Sequence, residues 1–561
     1  MRARNPVETV VSMRRGARRS EAVTSLSLHF LLGRLVAVAA VAFVGLFPAT
    51  AAAATVLRVP QDFPTIQSAI DAAAAGDTIL VAAGTFNETV DFQAKAITVA
   101  SESGAASTII NGDGVGAVVR MNANTGETPV LRGFTVQNGG ASGFTDGAID
   151  TSGGPALIEN NTITGNRFCG EGAVTARFSS ATIRNNLIFG NSQDQGLCGG
   201  GVGGAGVSIV GAGTVQLLNN VITGNTHGSG AGGVQLFAAG APTISGNVIK
   251  DNVGGIGGGM SLVNHSDATI TNNIIAGNRG AQGGGIYVSV PFGARGPLVV
   301  NNTIAANEAN TGLAAYFIGF YAQTAFVNNI LVGDGTASVV ACDGTFDQNL
   351  PIIRFNDVYN GGTGSEYGGI CTDQTGVNGN ISADPSFVDA AGGDFHIRRG
   401  PAVDAGTNTD APATDIDGDP RPIDGNGDGV AVVDIGADEA LPGGADTVPP
   451  TITCSASPSM LWPPNHGLRA VTVAISASDD SGSVAVTLLS VTSSQADGGL
   501  GPEDVPNDIQ GWVTGTDDRG GLLRAERFMQ QRIYTLTYQA SDSAGNTATC
   551  QTTVAVPLRL L

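Results

Sequence analysis

The sequence predicts an all-β chain: a parallel β-helix solenoid followed by a small β-sandwich. Three observations carry that prediction. A seven-residue unit, Asn-Asn-x-Ile-x-x-Asn, keeps returning through the middle of the chain. A second, glycine-led unit recurs between its copies. The composition sets 82 glycines beside many β-branched residues in a chain of 561, which favours short strands joined by tight turns over helices.

The Asn-led unit reads NNTITGN at 160, NNLIFGN at 185, NNVITGN at 219, GNVIKDN at 246, NNIIAGN at 272, NNTIAAN at 301 and NNILVGD at 328, with RGFTVQN at 132 as an earlier member. The intervals are 28, 25, 34, 27, 26, 29 and 27 residues. Between the copies stand GEGAVTA at 170, GGAGVSI at 203, GAGGVQL at 230, GGGMSLV at 257 and GGGIYVS at 283. Each period therefore supplies a Gly-led strand, a variable strand and an Asn-led strand. Helical repeats are excluded because no sustained 3.6-residue apolar stripe exists. Leucine-rich repeats are excluded because no Leu ladder recurs. A parallel β-helix fits, with one coil per repeat and like residues stacked above like. Ile163, Ile188, Ile222, Ile249, Ile275, Ile304 and Leu331 are then expected to form an internal aliphatic ladder. The paired Asn residues are expected to form a second ladder at a turn that needs left-handed backbone.

Charge narrows the partners. The formal net charge is −21, and residues 1–54 hold seven Arg and two Glu, a local +5, so the remainder carries −21 − 5 = −26. Such a surface repels phosphate backbones, so nucleic acid is not an expected partner. Cations, neutral glycans and basic surfaces remain. Residues 1–54 read as an export signal: a basic stretch, the apolar run LVAVAAVAFVGLF, then ATAAAA. Met13 offers a second start. No later stretch is apolar and long enough to cross a bilayer, so the expected location is secreted or cell-surface. The six cysteines fit export. Cys169/Cys198 and Cys342/Cys371 are each 29 residues apart, which would set partners on neighbouring coils. Together with Cys454/Cys550 they form the expected sequential disulfides, one of 15 connectivities open to six cysteines.

Over residues 55–380 the chain resembles the right-handed parallel β-helix repeat proteins of the pectate-lyase-like superfamily. FPTIQSAIDAAAAGDTILVAAGTFNETV is similar to the opening of pectin methylesterases. Ile66, Ile70 and Ala73 stripe a helix entered at Pro64 that would lid the core. Residues 381–440 resemble the choice-of-anchor Q segment that closes many bacterial exported β-helices, through Asp384-Pro385, Gly400-Pro401-Ala402-Val403-Asp404-Ala405-Gly406, Asp415-Ile416-Asp417-Gly418, Arg421 and Asp434-Ile435-Gly436-Ala437. A linker, 441–450, leads to residues 451–557. Their ending, YTLTYQASDSAGNTATCQTTVAVP, resembles bacterial immunoglobulin-like surface modules, which implies that Cys454 and Cys550 clamp a sandwich.

The superfamily contains enzymes and inert scaffolds alike, so fold leaves function open. The paired carboxylates of polysaccharide hydrolases and the Asp/Arg set of the methylesterases have no counterpart here. The nearest lyase-like constellation is Asp146, Asp150, Glu171 and Arg177, with Asp194 in a nearby loop. The other reading of these residues is solvated charge on strand ends. His227 and His265 lie in turns, and His29, His396 and His466 are isolated. Asp415, Asp417 and Asp419, followed by Asp424, Asn426, Asp428 and Asp434, alternate oxygen ligands with glycine, a pattern suited to calcium. The second run begins like an EF-hand or dockerin loop but has Ile435 at position 12, and Asp and Gly in a turn-rich loop serve backbone needs equally well. Calcium here would be structural. The aromatic stretch Tyr316–Tyr321 and the Trp462–His466 turn stand as surface tips or core plugs. The expectation is a secreted or surface scaffold contacting polysaccharide or another cell-surface component; the alternative is a calcium-dependent lyase of uronate polymers.

Overall fold

The computed structural model describes residues 54–559, apart from 115, 123–125, 127, 141–146, 194–202, 293–294, 319–323, 346–349, 442–448, 480–483, 499–500 and 543–545. The expected export signal lies outside the described residues except for its last position, and so does most of the linker. The chain is all-β, with parallel sheets of 12, 11 and 11 strands followed by antiparallel sheets.

Each coil contributes one strand to each parallel sheet, as in Leu157–Glu159, Thr162–Thr164 and Val174–Arg177. We call these the variable, Asn and Gly sheets. Every strand pairs in parallel with its equivalents one coil before and after, so like residues align. Ile163 faces Ile188, which faces Ile222, and the column runs on through Ile249, Ile275, Ile304 and Leu331. All seven are buried in the core that runs through the coils, as the sequence predicts.

The Asn-Asn pair makes the turn from the variable sheet into the Asn sheet, and its two members do different work. The first is left-handed: φ lies between 52° and 56° at Asn160, Asn185, Asn219, Asn272, Asn301 and Asn328. Asn tolerates that conformation better than other non-glycine residues, and Gly takes its place at Gly246. The second Asn points into the core. Asn220 Oδ1 accepts both the backbone N–H and the side-chain Nδ2 of Asn186, each at 3.0 Å, while Asn220 Nδ2 donates to the carbonyls of Ile183 and Leu218. The pattern repeats through Asn161, Asn186, Asn220, Asn247, Asn273, Asn302, Asn329, Asn356 and Asn380. The closing Asn of each unit forms a parallel ladder from Asn166 to Asn307. Buried amides are tolerated here because each finds several partners.

These ladders explain the glycines. At Gly206, Gly233, Gly259 and Gly285 a Cβ would stand 2.5–2.8 Å from the carbonyl oxygen of the next coil. The same Cβ would meet the Ile column at 2.5–2.7 Å. Only a residue without a side chain fits. Farther along, the Gly-led segments fold over the outer face of their own sheet: Thr175 Oγ1 donates to Gly172 O, and Gly204 N donates to Ser208 Oγ. The outward column Thr175, Ser208, Gln235 and Ser261 is buried as a result.

The helix Ile66–Ala72 packs Ile66, Ala69 and Ile70 into the core. Thr65 is its N-cap, one residue beyond the expected Pro64 entry. Glu88 of the first coil accepts the N–H groups of Ile66 and Gln67, and Lys95 donates to the carbonyls of Ile70 and Asp71. Opposite charges thus meet opposite helix ends, in the sense the helix dipole favours.

Residues 451–556 form a four-stranded and a three-stranded antiparallel sheet around a core that includes Leu488, Leu523, Tyr534, Leu536, Tyr538 and Val554. The disulfide Cys454–Cys550 joins the first strand, in one sheet, to the last strand, in the other.

Two substitutions separate the roles of the Asn pair. Asn273→Ala removes the acceptor of Asn247 N and Nδ2 and leaves buried amide groups unsatisfied, so we expect a loss of about 3 kcal/mol, read as a lower denaturant midpoint at unchanged slope. Asn185→Gly, at φ 55°, should change stability by less than about 1 kcal/mol.

Candidate functional site: a histidine–carboxylate pocket and an ion-paired cluster

The parallel ladder ends near Ile381, which bridges to Asp357. The chain then turns back along the outside of the stack. Residues 381–440 lie against the outer face of the Asn sheet over its last coils. The first Asn of each pair, unpartnered by the core, is the docking point. Asn272 donates to Thr414 O at 2.6 Å, Asn301 to the carbonyls of Asp434 and Gly436 at 2.9 and 3.1 Å, and Asn328 to Thr407 O at 2.8 Å. Beside them Phe395 packs on Ala276 and Ala305, and Ile397, Ala402, Ile435 and Ala440 pack on Ile330.

Within this segment three groups of acidic residues stand out. Asp415 and Asp434 are buried and hold backbone together. Asp415 Oδ1 accepts the N–H groups of Asp417, Gly418 and Asp419, and its Oδ2 that of Glu439. Asp434 accepts from Asp404 and Ala440, and burial pushes its pKa up to about 8. Arg421 and Glu439 form a fully buried ion pair at 3.4 Å, and Arg421 also donates to Gly436 O. The second group, Asp424, Asn426 and Asp428, sits in an exposed loop whose side-chain oxygens accept the N–H groups of residues 427–430.

The third group corrects the sequence reading, which held His396 to be isolated. His396 Nδ1 lies 2.5 Å from Asp394 Oδ1, and its Nε2 lies 2.9 Å from Asp417 Oδ2. One donor atom each from His396, Asp417 and Asp438 lies within 4.8 Å of the others. They line a cavity of about 300 Å³ with Arg398, Asp419 and Glu439. Burial alone would lower the His396 pKa, but the hydrogen bond to Asp394 and the charges of Asp438, Asp417 and Asp394 outweigh it and the pKa rises. Burial raises Asp438 to about 6. The signal was present in the sequence: in Asp394-Phe-His-Ile397 the apolar residues alternate with His396, and a strand must then send His396 away from the core.

Of the lyase-like candidates, Asp146 and Asp194 lie outside the described residues. The structure does bring Asp150, Glu171 and Arg177 together. Arg177 Nη2 lies 2.5 Å from Glu171 Oε2, and its Nε lies 3.8 Å from Asp150 Oδ1. All three side chains are largely shielded from solvent. Cys342–Cys371 is a disulfide with its Cα atoms 5.2 Å apart. Cys169 is disulfide-bonded, and Cys198 lies outside the described residues. His227 is buried, its Nδ1 accepting the Gly230 N–H at 2.7 Å, and burial lowers its pKa to about 4. Phe317 is core, while Tyr316 stacks on Tyr287 and donates to Asp343. Trp462 is partly exposed beside the buried Leu461.

A family described as the right handed beta helix region matches residues 149–350, all within the coil stack. Fold and matched span together define a right-handed parallel β-helix. Two solved structures of a PL6 family alginate lyase, AlyGC, one of them an arginine-to-alanine mutant, are similar at 15% identity with TM-scores of 0.27 and 0.29. The alignments cover 60% of this chain and 54% of theirs, so the chain spans about half the length of those structures. No curated protein matches the sequence.

Near the end of the stack, Asp357 is buried with one oxygen accepting the Ala383 N–H and the other without a partner, and burial raises its pKa to about 7. The folded chain therefore holds this proton over a range where the unfolded chain, at the ordinary value of 3.8, has lost it. Its contribution to stability is full below about pH 4 and is lost as pH rises to about 7. Thermal melts of wild type and Asp357→Asn across that range should diverge, with the wild type losing ground to the variant as pH rises.

Proposed function

We propose that the protein is an exported, secreted or surface-held scaffold, whose coil stack presents extended sheet faces to polysaccharide or to another cell-surface component. The observation that carries this reading is the state of the lyase-like cluster. Arg177, the one base candidate there, is engaged with Glu171 and Asp150, and a guanidinium held between two carboxylates is a poor proton acceptor. The Gly sheet beside it is roofed by its own Gly-led segments over the following coils.

The variable sheet offers the better contact surface. Four of its 12 strands align outward Thr182, Gln216, Thr243 and Thr269 in register, next to the ion-paired Arg184 and Glu159. At strand spacing these four span about 14 Å, with Leu157 before them and Leu298, Ala325 and Ile352 after them at the same position, so the polar strip is local to the middle coils. Export through residues 1–54, an immunoglobulin-like role for the C-terminal sandwich, and a structural calcium at Asp424, Asn426 and Asp428 belong to the same proposal.

The second reading, a calcium-dependent uronate lyase, is favoured by one fact: Asp150, Glu171 and Arg177 do converge on one face. Incubation of the chain with a panel of acidic and neutral polysaccharides, with and without calcium, separates the two. We expect neither unsaturated-product absorbance nor new reducing ends from any polymer. Calcium-dependent unsaturated product, abolished by Arg177→Ala, would overturn the scaffold proposal.

A further inference from the structure

We propose that His396, Asp417 and Asp438 form a binding site for one divalent transition ion, Zn²⁺ or Mn²⁺. The site is built, not incidental. His396 lies on the strand Asp394–Ile397, and its neighbours Phe395 and Ile397 are buried against the Asn sheet, which fixes the strand and turns the imidazole outward. Asp417 extends from a turn that Asp415 clamps through three backbone N–H groups. Asp438 comes from the buried run 433–440, held by the contacts of Gly436 and Ala437 to Asn328 and Thr303. Three separate stretches of chain, each anchored by the core, thus converge on one cavity.

The donors are disposed for a metal. Asp394 takes the Nδ1 side of His396, which leaves Nε2 directed at Asp417. A carboxylate behind a ligating imidazole is the arrangement that fixes the ring and raises its basicity. Asp438 is nine-tenths buried, yet only one of its oxygens is engaged, by the Ile397 N–H at 2.7 Å, and the residue lines the cavity. The three donor atoms already lie within 4.8 Å of one another, against about 3.4 Å between tetrahedral ligands each about 2.1 Å from a shared ion. Binding replaces the His396–Asp417 hydrogen bond with two bonds to the ion and releases any proton held between them.

The donor set also selects the ion. One imidazole and two carboxylates suit Zn²⁺ or Mn²⁺, whereas Ca²⁺ takes six to eight oxygen ligands. Three protein ligands leave positions open to solvent in the cavity. Glu439 is paired with Arg421, so it is not counted as a ligand, and Arg398 at the rim limits the charge the pocket will attract. Asp424, Asn426 and Asp428 take no part, so a calcium ion in their loop would be independent.

Titration of the metal-free full chain with ZnCl₂, MnCl₂ and CaCl₂, followed calorimetrically, tests the proposal. We expect one equivalent of Zn²⁺ or Mn²⁺ per chain at this site, not displaced by excess calcium. His396→Ala and Asp417→Asn should each weaken it at least tenfold. Those side chains are 39% and 53% exposed, so both variants should fold, as far-ultraviolet circular dichroism would verify. Asp394→Asn should weaken binding by about 10- to 100-fold without removing a ligand. With Co²⁺ as probe, wild type should show visible d–d absorption that His396→Ala alters. Absence of stoichiometric Zn²⁺ or Mn²⁺ binding, unchanged affinity in His396→Ala, or displacement by calcium at comparable concentration would each overturn it.

Discussion

The structure depends on one constraint: from Asn161 to Asn380, every coil must bury the amide of an Asn side chain at the same place. A β-helix has a closed core and no helix or sandwich partner to close its corners. At the corner between the variable and Asn sheets, backbone groups turn inward where no strand can satisfy them. The ladder from Asn161 to Asn380 satisfies them by taking a backbone N–H and an amide hydrogen from one neighbour and returning hydrogens to carbonyls. Each member is useful only if the next coil has the same residue at the same height. That demand sets the register, and the Ile column and the glycines follow from it: Gly233 has no side chain because Ile249, Asn252 and the next carbonyl already fill that space.

The same turn also organises the outside. The first Asn is left-handed and projects away from the core, and at Asn160, Asn185 and Asn219 it meets solvent. On the last coils Asn272, Asn301 and Asn328 instead bind the returning segment, where the outward positions become Ala276, Ala305 and Ile330. Docking in this way lines up His396, Asp417 and Asp438. The pocket is therefore a product of the repeat, since its walls are positioned by a surface that the Asn pairs create. The buried Arg421–Glu439 pair fixes the segment internally. Removing one partner of such a pair would strand the other charge, so the pair specifies a single arrangement more than it adds stability.

Much of the coil stack was legible in the sequence, because a repeat displays its contacts as columns: Ile163 to Leu331 and the Asn pairs could be aligned by eye. The capping helix was legible from the spacing of Ile66 and Ile70. What escaped was contact between distant, unrepeated residues. Nothing in the local pattern says that Asn301 will bond to Asp434, 133 residues away. His396 looked isolated for the same reason, since beyond its near neighbour Asp394 the groups it meets, Asp417 and Asp438, are 21 and 42 positions on. Arg177 and Glu171 could be placed near each other, but whether they would face a groove or pair with each other depends on side-chain geometry that spacing does not encode.

Hydrogen exchange of the backbone amides of Asn186, Asn220, Asn247, Asn273, Asn302, Asn329 and Asn356 tests the central claim most directly, because each donates to the side chain of the next coil. If the ladder holds the stack together, these turn amides will exchange as slowly as the strand amides around Ile222 and Ile275, opening only with the whole solenoid. Exchange as fast as that of the exposed Asp424–Asp428 loop would mean that the corners open on their own, and that the aliphatic core alone sustains the coils.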